Sequence, residues 1–76
     1  MPGSHLHNVP LKLYRSFLKE QGCCCNRTSG GHEHWSRHDL SRPITVQTHV
    51  DPVPEFIILI TLRQLGLTKK DFINWI

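Results

Sequence analysis

The amino-acid sequence predicts a single small α+β domain that combines helices with a three-stranded antiparallel sheet. Three observations predict it: apolar residues at helical spacing near the N-terminus, a Gly-Gly pair between two alternating segments, and a third segment rich in β-branched residues. The chain of 76 residues has room for one thin hydrophobic core. A two-domain enzyme with its own cofactor fold is therefore excluded.

The first element is an amphipathic helix over residues 10–21. Its apolar residues recur at spacings of three and four and are Leu11, Tyr14, Phe17 and Leu18. Pro10 suits the first turn of a helix, and Gly22 suits the position just after its end. One face of this helix should therefore be buried and the other solvated.

Two strands follow, over residues 23–28 and 32–38, joined by a tight turn at Gly30 and Gly31. Alternation along the second strand places histidines and a serine on one face, namely His32, His34, Ser36 and His38. The other face carries Glu33, Trp35 and Arg37. A third strand over residues 44–50 is rich in β-branched residues, so the three strands form a meander.

The C-terminal part begins with a segment, residues 55–65, that the residues alone do not decide. Its β-branched content favours a buried strand, whereas its length, Pro54 before it and Gly66 after it favour a helix. The next element is a short helix that reaches Ile76. Thr68 marks its start, because the hydroxyl of this residue can cap an amide near Asp71.

Composition limits the environment of the protein. No run approaches the roughly 18 apolar residues of a membrane span, and residues 1–5 do not form a secretory signal. A cytoplasmic, reducing location is expected. Residues 1–8 are interpreted as a disordered N-terminus or as residues left by cloning, His5 included, and residues 9–76 as the domain. A formal net charge of +3 and a pI near 9.0 favour anionic partners mildly.

Cysteine and histidine are zinc ligands, but the cysteines are consecutive, at Cys23, Cys24 and Cys25. Adjacent residues on a strand point to opposite faces, so these thiols cannot converge on one ion. A zinc site that combines one of them with His32 and His34 is a weaker alternative. We expect no metal and interpret the cysteines as small apolar residues packed against the sheet core.

His32 is the first candidate for chemistry, since it directly follows Gly30 and Gly31 at the start of a strand. An imidazole can accept or donate a proton near neutral pH without a metal. RNA carries its own nucleophile, the ribose 2′-hydroxyl, so its cleavage requires positioning, proton transfer and stabilisation of developing charge. The alternative interpretation of His32 is an ordinary surface histidine on a hairpin.

Two short motifs in order resemble those of the HicA-type mRNA interferase toxins, the YcfA-like family. The first is GGHEHW, from Gly30 to Trp35, and the second is LRQLGLTKKDF, from Leu62 to Phe72. The family signature is a Gly-Ser-His with an aromatic residue three positions on, so Gly31 replaces the usual serine. The resemblance covers roughly residues 9–72.

The resemblance implies a fold like that of the double-stranded RNA-binding domain, α-β-β-β-α with a short C-terminal helix. Residues 55–65 would then be a helix, packed with the first helix on one sheet face and partly covered by another chain. The implied function is the toxin of a type II toxin–antitoxin system, a metal-independent endoribonuclease that cleaves mRNA and inhibits translation. His32 would be the catalytic histidine, and the implied partner is a cognate HicB-type antitoxin that covers the active site.

Other residues are assigned weaker roles. The candidates for assisting His32 or binding RNA are His34, Arg27, Arg37, Lys12, Lys69 and Lys70, although any one of these cations is more often simply solvated. Trp35 is expected to pack rather than to stack on bases, and His38 and His49 are expected to be incidental. The alternative of a different class is a noncatalytic RNA-binding or protein-binding module.

Overall fold

Three helices and one antiparallel sheet make up the computed structural model, which describes residues 6–76. The elements in chain order are α1 (Leu11–Glu20), β1 (Cys24–Ser29), β2 (His32–Ser36), β3 (Ile44–Gln47), α2 (Glu55–Leu65) and α3 (Lys69–Trp75). The strands lie side by side in the order β1-β2-β3. The predicted α+β fold class, with its α-β-β-β-α order and short final helix, is confirmed.

Helix α1 buries the predicted apolar face, which consists of Leu11, Tyr14, Phe17 and Leu18. Its first amide is satisfied from a distant loop, because the Leu11 amide donates to Asp51 Oδ1 at 3.0 Å. At its other end Gly22 has a φ of +84°, and the Cys23 amide donates back to the Leu18 carbonyl at 3.0 Å. This is the helix ending that glycine favours, and it turns the chain directly into β1.

The sheet has one face directed at the helices. Trp35 pairs with Ile44 and Glu33 pairs with Val46 in the β2–β3 ladder. Trp35, Ile44 and Val46 are each at most 3% exposed, whereas their neighbours along the strands point the other way. The helices therefore cover this face of β2 and β3.

Strand β1 is different, because all six of its residues are exposed. This corrects the interpretation of the cysteines. Cys23, just before the strand, is 3% exposed and belongs to the core, but Cys24 and Cys25 are exposed free thiols. The interpretation was wrong for those two residues because neither face of this edge strand is covered.

Two strands end earlier than predicted. Strand β2 ends at Ser36, because the Leu40 amide donates to the Arg37 carbonyl at 2.9 Å and closes a turn. Strand β3 ends at Gln47, because the Val50 amide bends back to the Gln47 carbonyl at 3.4 Å. Residues 37–38 and 48–50 therefore lie in turns rather than on the sheet faces predicted for them.

The core also includes residues before α1. Leu6 is 0% exposed and Val9 is 2% exposed, and Val9 forms an isolated antiparallel bridge with Val53. The folded domain therefore extends to Leu6, ahead of the predicted boundary at Val9. The suggestion that His5 comes from cloning lies outside the described residues.

Residues 55–65 form helix α2, so the strand alternative is wrong. Pro54 precedes the helix and Gly66, with a φ of +72°, follows it. The residues it buries are Ile58, Thr61, Leu62 and Leu65, while Phe56 and Ile60 are 63% and 47% exposed. The next helix, α3, begins with the predicted cap as a reciprocal pair between Thr68 and Asp71. No helix within residues 6–76 is both long and apolar enough to cross a membrane.

The two long helices are joined by a buried hydrogen bond between the Tyr14 and Thr61 hydroxyls, whose residues are 1% and 2% exposed. The Thr61→Val variant keeps the side-chain shape but leaves the Tyr14 hydroxyl without its partner. We expect it to lower the free energy of unfolding by about 1 to 3 kcal/mol, as measured by urea denaturation. The Tyr14→Phe/Thr61→Val double variant should lose less than the sum of the two single losses. Strictly additive losses would contradict this coupling.

Candidate functional site

The candidate site lies on the sheet face that the helices leave uncovered. Residues directly opposite each other in an antiparallel pair share a face, and the pairing of β2 with both neighbours defines this set. We call it the open face, and its residues are Cys24, Arg27, Ser29, His32, His34, Ser36, Thr45 and Gln47. The prediction that His32, His34 and Ser36 share one face of β2 is confirmed.

His32 is the first residue of β2 and is exposed. It pairs with Ser29 on β1 and Gln47 on β3, so it is held by a neighbouring strand on each side. The turn before it has two residues, Gly30 with a φ of +61° and then Gly31. Glycine at the first position of such a turn matches the twist of the strands. His32 therefore lies at the turn end of the β1–β2 hairpin.

Glycine at position 31 leaves room for the side chain of His49. A Cβ atom there would lie 2.6 Å from Cε1 and 2.8 Å from Nδ1 of His49. A serine at this position would therefore collide with the imidazole ring of His49. That ring lies against the residue that precedes His32, a placement that the sequence analysis did not anticipate.

A shallow depression lies on the open face two residues along β2 from His32, at His34. It is lined by Asn26, Arg27, His34, Ser36 and Pro43. Asn26 sits where the β1–β2 register shifts between Cys25 and Arg27, and its amide donates to the Ser36 hydroxyl. Within residues 6–76, Arg27 has no carboxylate partner, so its charge is directed to solvent beside His34. This group is suited to holding an anion such as a phosphate.

The opposite face of β2 holds a partly buried carboxylate. Glu33 accepts hydrogen bonds from Arg15 Nε at 3.1 Å and Nη2 at 2.9 Å, and from Trp35 Nε1 at 2.9 Å. Burial acts to raise the pKa of Glu33, but the hydrogen bonds from Trp35 and Arg15 and the charge of Arg15 outweigh it, so the pKa lies below its ordinary value of 4.5. Trp35 is 3% exposed, so its predicted packing role is confirmed.

Arg37, a predicted RNA-binding candidate, is held by partners within the chain. Its guanidinium donates to Asp39 Oδ1 at 2.6 Å and Oδ2 at 3.1 Å, and to the Gln21 carbonyl at 2.8 Å. The hydrogen bond from Arg37 also holds the pKa of Asp39 below its ordinary value. Arg37 therefore ties the end of β2 to the turn after α1, because a bidentate carboxylate and a carbonyl accept three of its hydrogen bonds.

The remaining predicted cations lie away from the open face. Lys12 belongs to the first turn of α1, and Lys69 and Lys70 open α3. All three are exposed, but their helices pack on the other side of the sheet. His38 follows the end of β2 that is opposite to His32. The structure thus brings together His32, His34 and Arg27 and separates them from the three lysines.

Comparisons of the chain with protein-family models, with curated proteins and with solved structures gave no match. The resemblance to the HicA-type toxins therefore depends on the two motifs and on the order of the elements.

The Glu33→Gln variant tests the contribution of the partly buried carboxylate to stability. Because the pKa of Glu33 is lowered in the folded chain, the unfolded chain binds a proton first as the pH falls, and the contribution of Glu33 to stability is complete only above its ordinary pKa. We expect the variant to be less stable by about 1 to 2 kcal/mol at pH 7. The difference should shrink as the pH falls below 4.5. Urea denaturation across pH checks this, and a difference that persists unchanged at low pH would contradict it.

Proposed function

We propose that the chain is the toxin of a toxin–antitoxin pair, a metal-independent endoribonuclease in which His32 transfers protons. The observation that carries the proposal is the position of His32: exposed, first after a two-residue turn, and on the same uncovered sheet face as His34 and Arg27. The α-β-β-β-α order that the family resemblance implies supports it as well. The substrate is mRNA, and the site of action is the cytoplasm.

The chemistry is a transesterification within the RNA. The 2′-oxygen attacks the adjacent phosphorus and the bond from phosphorus to the 5′-oxygen breaks. A 2′,3′-cyclic phosphate and a free 5′-hydroxyl result. His32 accepts the 2′-hydroxyl proton, Arg27 binds the phosphate whose charge increases as the new bond forms, and the leaving 5′-oxygen takes up a proton from an acid or from water. The open face provides the positioned base and the cation.

The proposal includes a protein partner, a HicB-type antitoxin that covers the open face. Exposed apolar residues elsewhere on the surface are consistent with a protein partner, since Phe56 and Ile60 on α2 are 63% and 47% exposed. They lie one turn apart on the same helix and form a small apolar patch.

A second function of a different class is a module that binds RNA without cutting it. The depression beside His34 favours it, because Asn26, Arg27 and Ser36 can hold a phosphate there without His32. Labelled RNA incubated with the chain in excess chelator separates the two functions. Cleavage supports the nuclease, whereas binding without cleavage supports the module.

The His32→Ala variant tests the nuclease directly. We expect RNA cleavage to fall by roughly 10² to 10⁴-fold, since a positioned acid or base contributes that much, and growth inhibition to be lost. The fold should persist because the side chain is exposed, as thermal unfolding followed by circular dichroism would show. His38→Ala, an exposed histidine at the other end of β2, is the matched control and should cleave normally. Undiminished toxicity of His32→Ala would refute the assignment.

Arg27→Ala tests the phosphate contact. Binding of single-stranded RNA, measured in the His32→Ala background to prevent cleavage, should weaken. The slope of log affinity against log salt should also become shallower by about 0.7, the value for one lost phosphate contact. Arg42→Ala, in the loop between β2 and β3, is the control for loss of one exposed arginine. Equal effects of the two variants would show that the open face is not the RNA contact.

A further inference from the structure

His49 lies beside the candidate site. Within the hairpin motif, the contacts that place it there are made with Gly31. It lies in the turn that follows β3 and is exposed. The preceding residue, Thr48, donates to the Gly31 carbonyl twice, from its amide at 2.8 Å and from its hydroxyl at 3.2 Å. These two bonds join the turn after β3 to the turn before β2.

The imidazole of His49 occupies the space above Gly31. Its Cε1 and Nδ1 atoms lie 2.6 and 2.8 Å from the point where a Cβ would be. Side-chain atoms do not approach a real Cβ so closely, so this position of the ring depends on glycine. Since Gly31 is bonded to His32, the ring of the exposed His49 lies against the residue next to His32, at the same end of the sheet.

The cleavage chemistry has a use for a second imidazole. The attacking 2′-oxygen and the leaving 5′-oxygen lie on opposite sides of phosphorus in an in-line displacement. One group must remove a proton from the first oxygen while another supplies a proton to the second. His32 and His34 project in the same direction from one strand, whereas His49 reaches the hairpin turn from the turn after β3.

We propose that His49 is the general acid of the reaction, donating its proton to the 5′-oxygen as the bond from phosphorus to that oxygen breaks. The proton removed from the 2′-hydroxyl goes to His32, so the pair ends with His32 protonated and His49 neutral. Exchange with water restores both. This inference rests on the proposed nuclease function and adds a catalytic residue that lies outside the family motif.

The test uses two RNA substrates, one natural and one with sulfur in place of the scissile bridging 5′-oxygen. A thiolate leaves without being protonated, because a thiol is a far stronger acid than an alcohol. We expect His49→Gln to cleave the natural RNA roughly 10² to 10⁴-fold more slowly, and to cleave the sulfur-containing RNA at nearly the rate of the unmodified chain. His32→Ala should be impaired on both substrates, and His38→Gln on neither.

Gly31→Ser provides a second variant that leaves His49 in the chain. The added side chain displaces the imidazole, so this variant should also be slow on natural RNA and recover on the sulfur-containing RNA. Combined with His49→Gln, it should cause no further loss. Thermal unfolding by circular dichroism confirms that each variant is folded.

The outcomes separate the two proposals. If the unmodified chain cleaves neither substrate, the nuclease function fails and the role of His49 fails with it. If the unmodified chain cleaves natural RNA and His49→Gln does so equally well, the role of His49 alone is refuted. An equal defect of His49→Gln on both substrates also refutes it, because a merely structural loss would not be restored by a better leaving group.

Discussion

The geometry of the candidate site depends on the partly buried carboxylate of Glu33. Three hydrogen bonds, two from Arg15 and one from Trp35, fix it on the face of β2 that the helices cover. Because side chains alternate along a strand, this placement directs His32 and His34 to the open face. A shift of one residue would turn both histidines toward the core and expose Glu33 and Trp35. The contact that joins α1 to the sheet thus also determines which way the site faces.

A core of this size cannot cover the whole sheet. The helices bury residues of β2 and β3, but every residue of β1 is exposed. The hairpin that carries His32 is therefore supported mainly by its backbone ladder and by the two hydrogen bonds from Thr48 to Gly31. Those bonds hold the hairpin turn against the end of β3. They therefore fix the position of the turn, where few side chains are buried.

The sequence predicted the parts of the fold that local patterns encode. Apolar spacing and flanking Pro and Gly residues located α1, and alternation assigned His32 and His34 to one face. Helix α2 required the family resemblance, since its β-branched composition also suits a strand. The exposure of Cys24, the hydrogen bond from Arg37 to the Gln21 carbonyl and the position of His49 depend on how elements distant in the chain are arranged. No local pattern carries that information, so the candidate site was predicted only around its hairpin.

The charges of the chain are arranged so that few of them act at the open face. Of the open-face residues, Arg27 alone carries a permanent charge, while Arg15 and Arg37 are held by Glu33 and Asp39. A surface with one fixed cation and two imidazoles suits the proposed contact with a short stretch of backbone, because affinity for nucleic acid grows with the number of phosphates neutralised. Such a face is suited to positioning one phosphodiester for proton transfer rather than to gripping a long duplex. The modest net charge of +3 agrees with this, since most of the excess cations lie on helices and loops outside the open face.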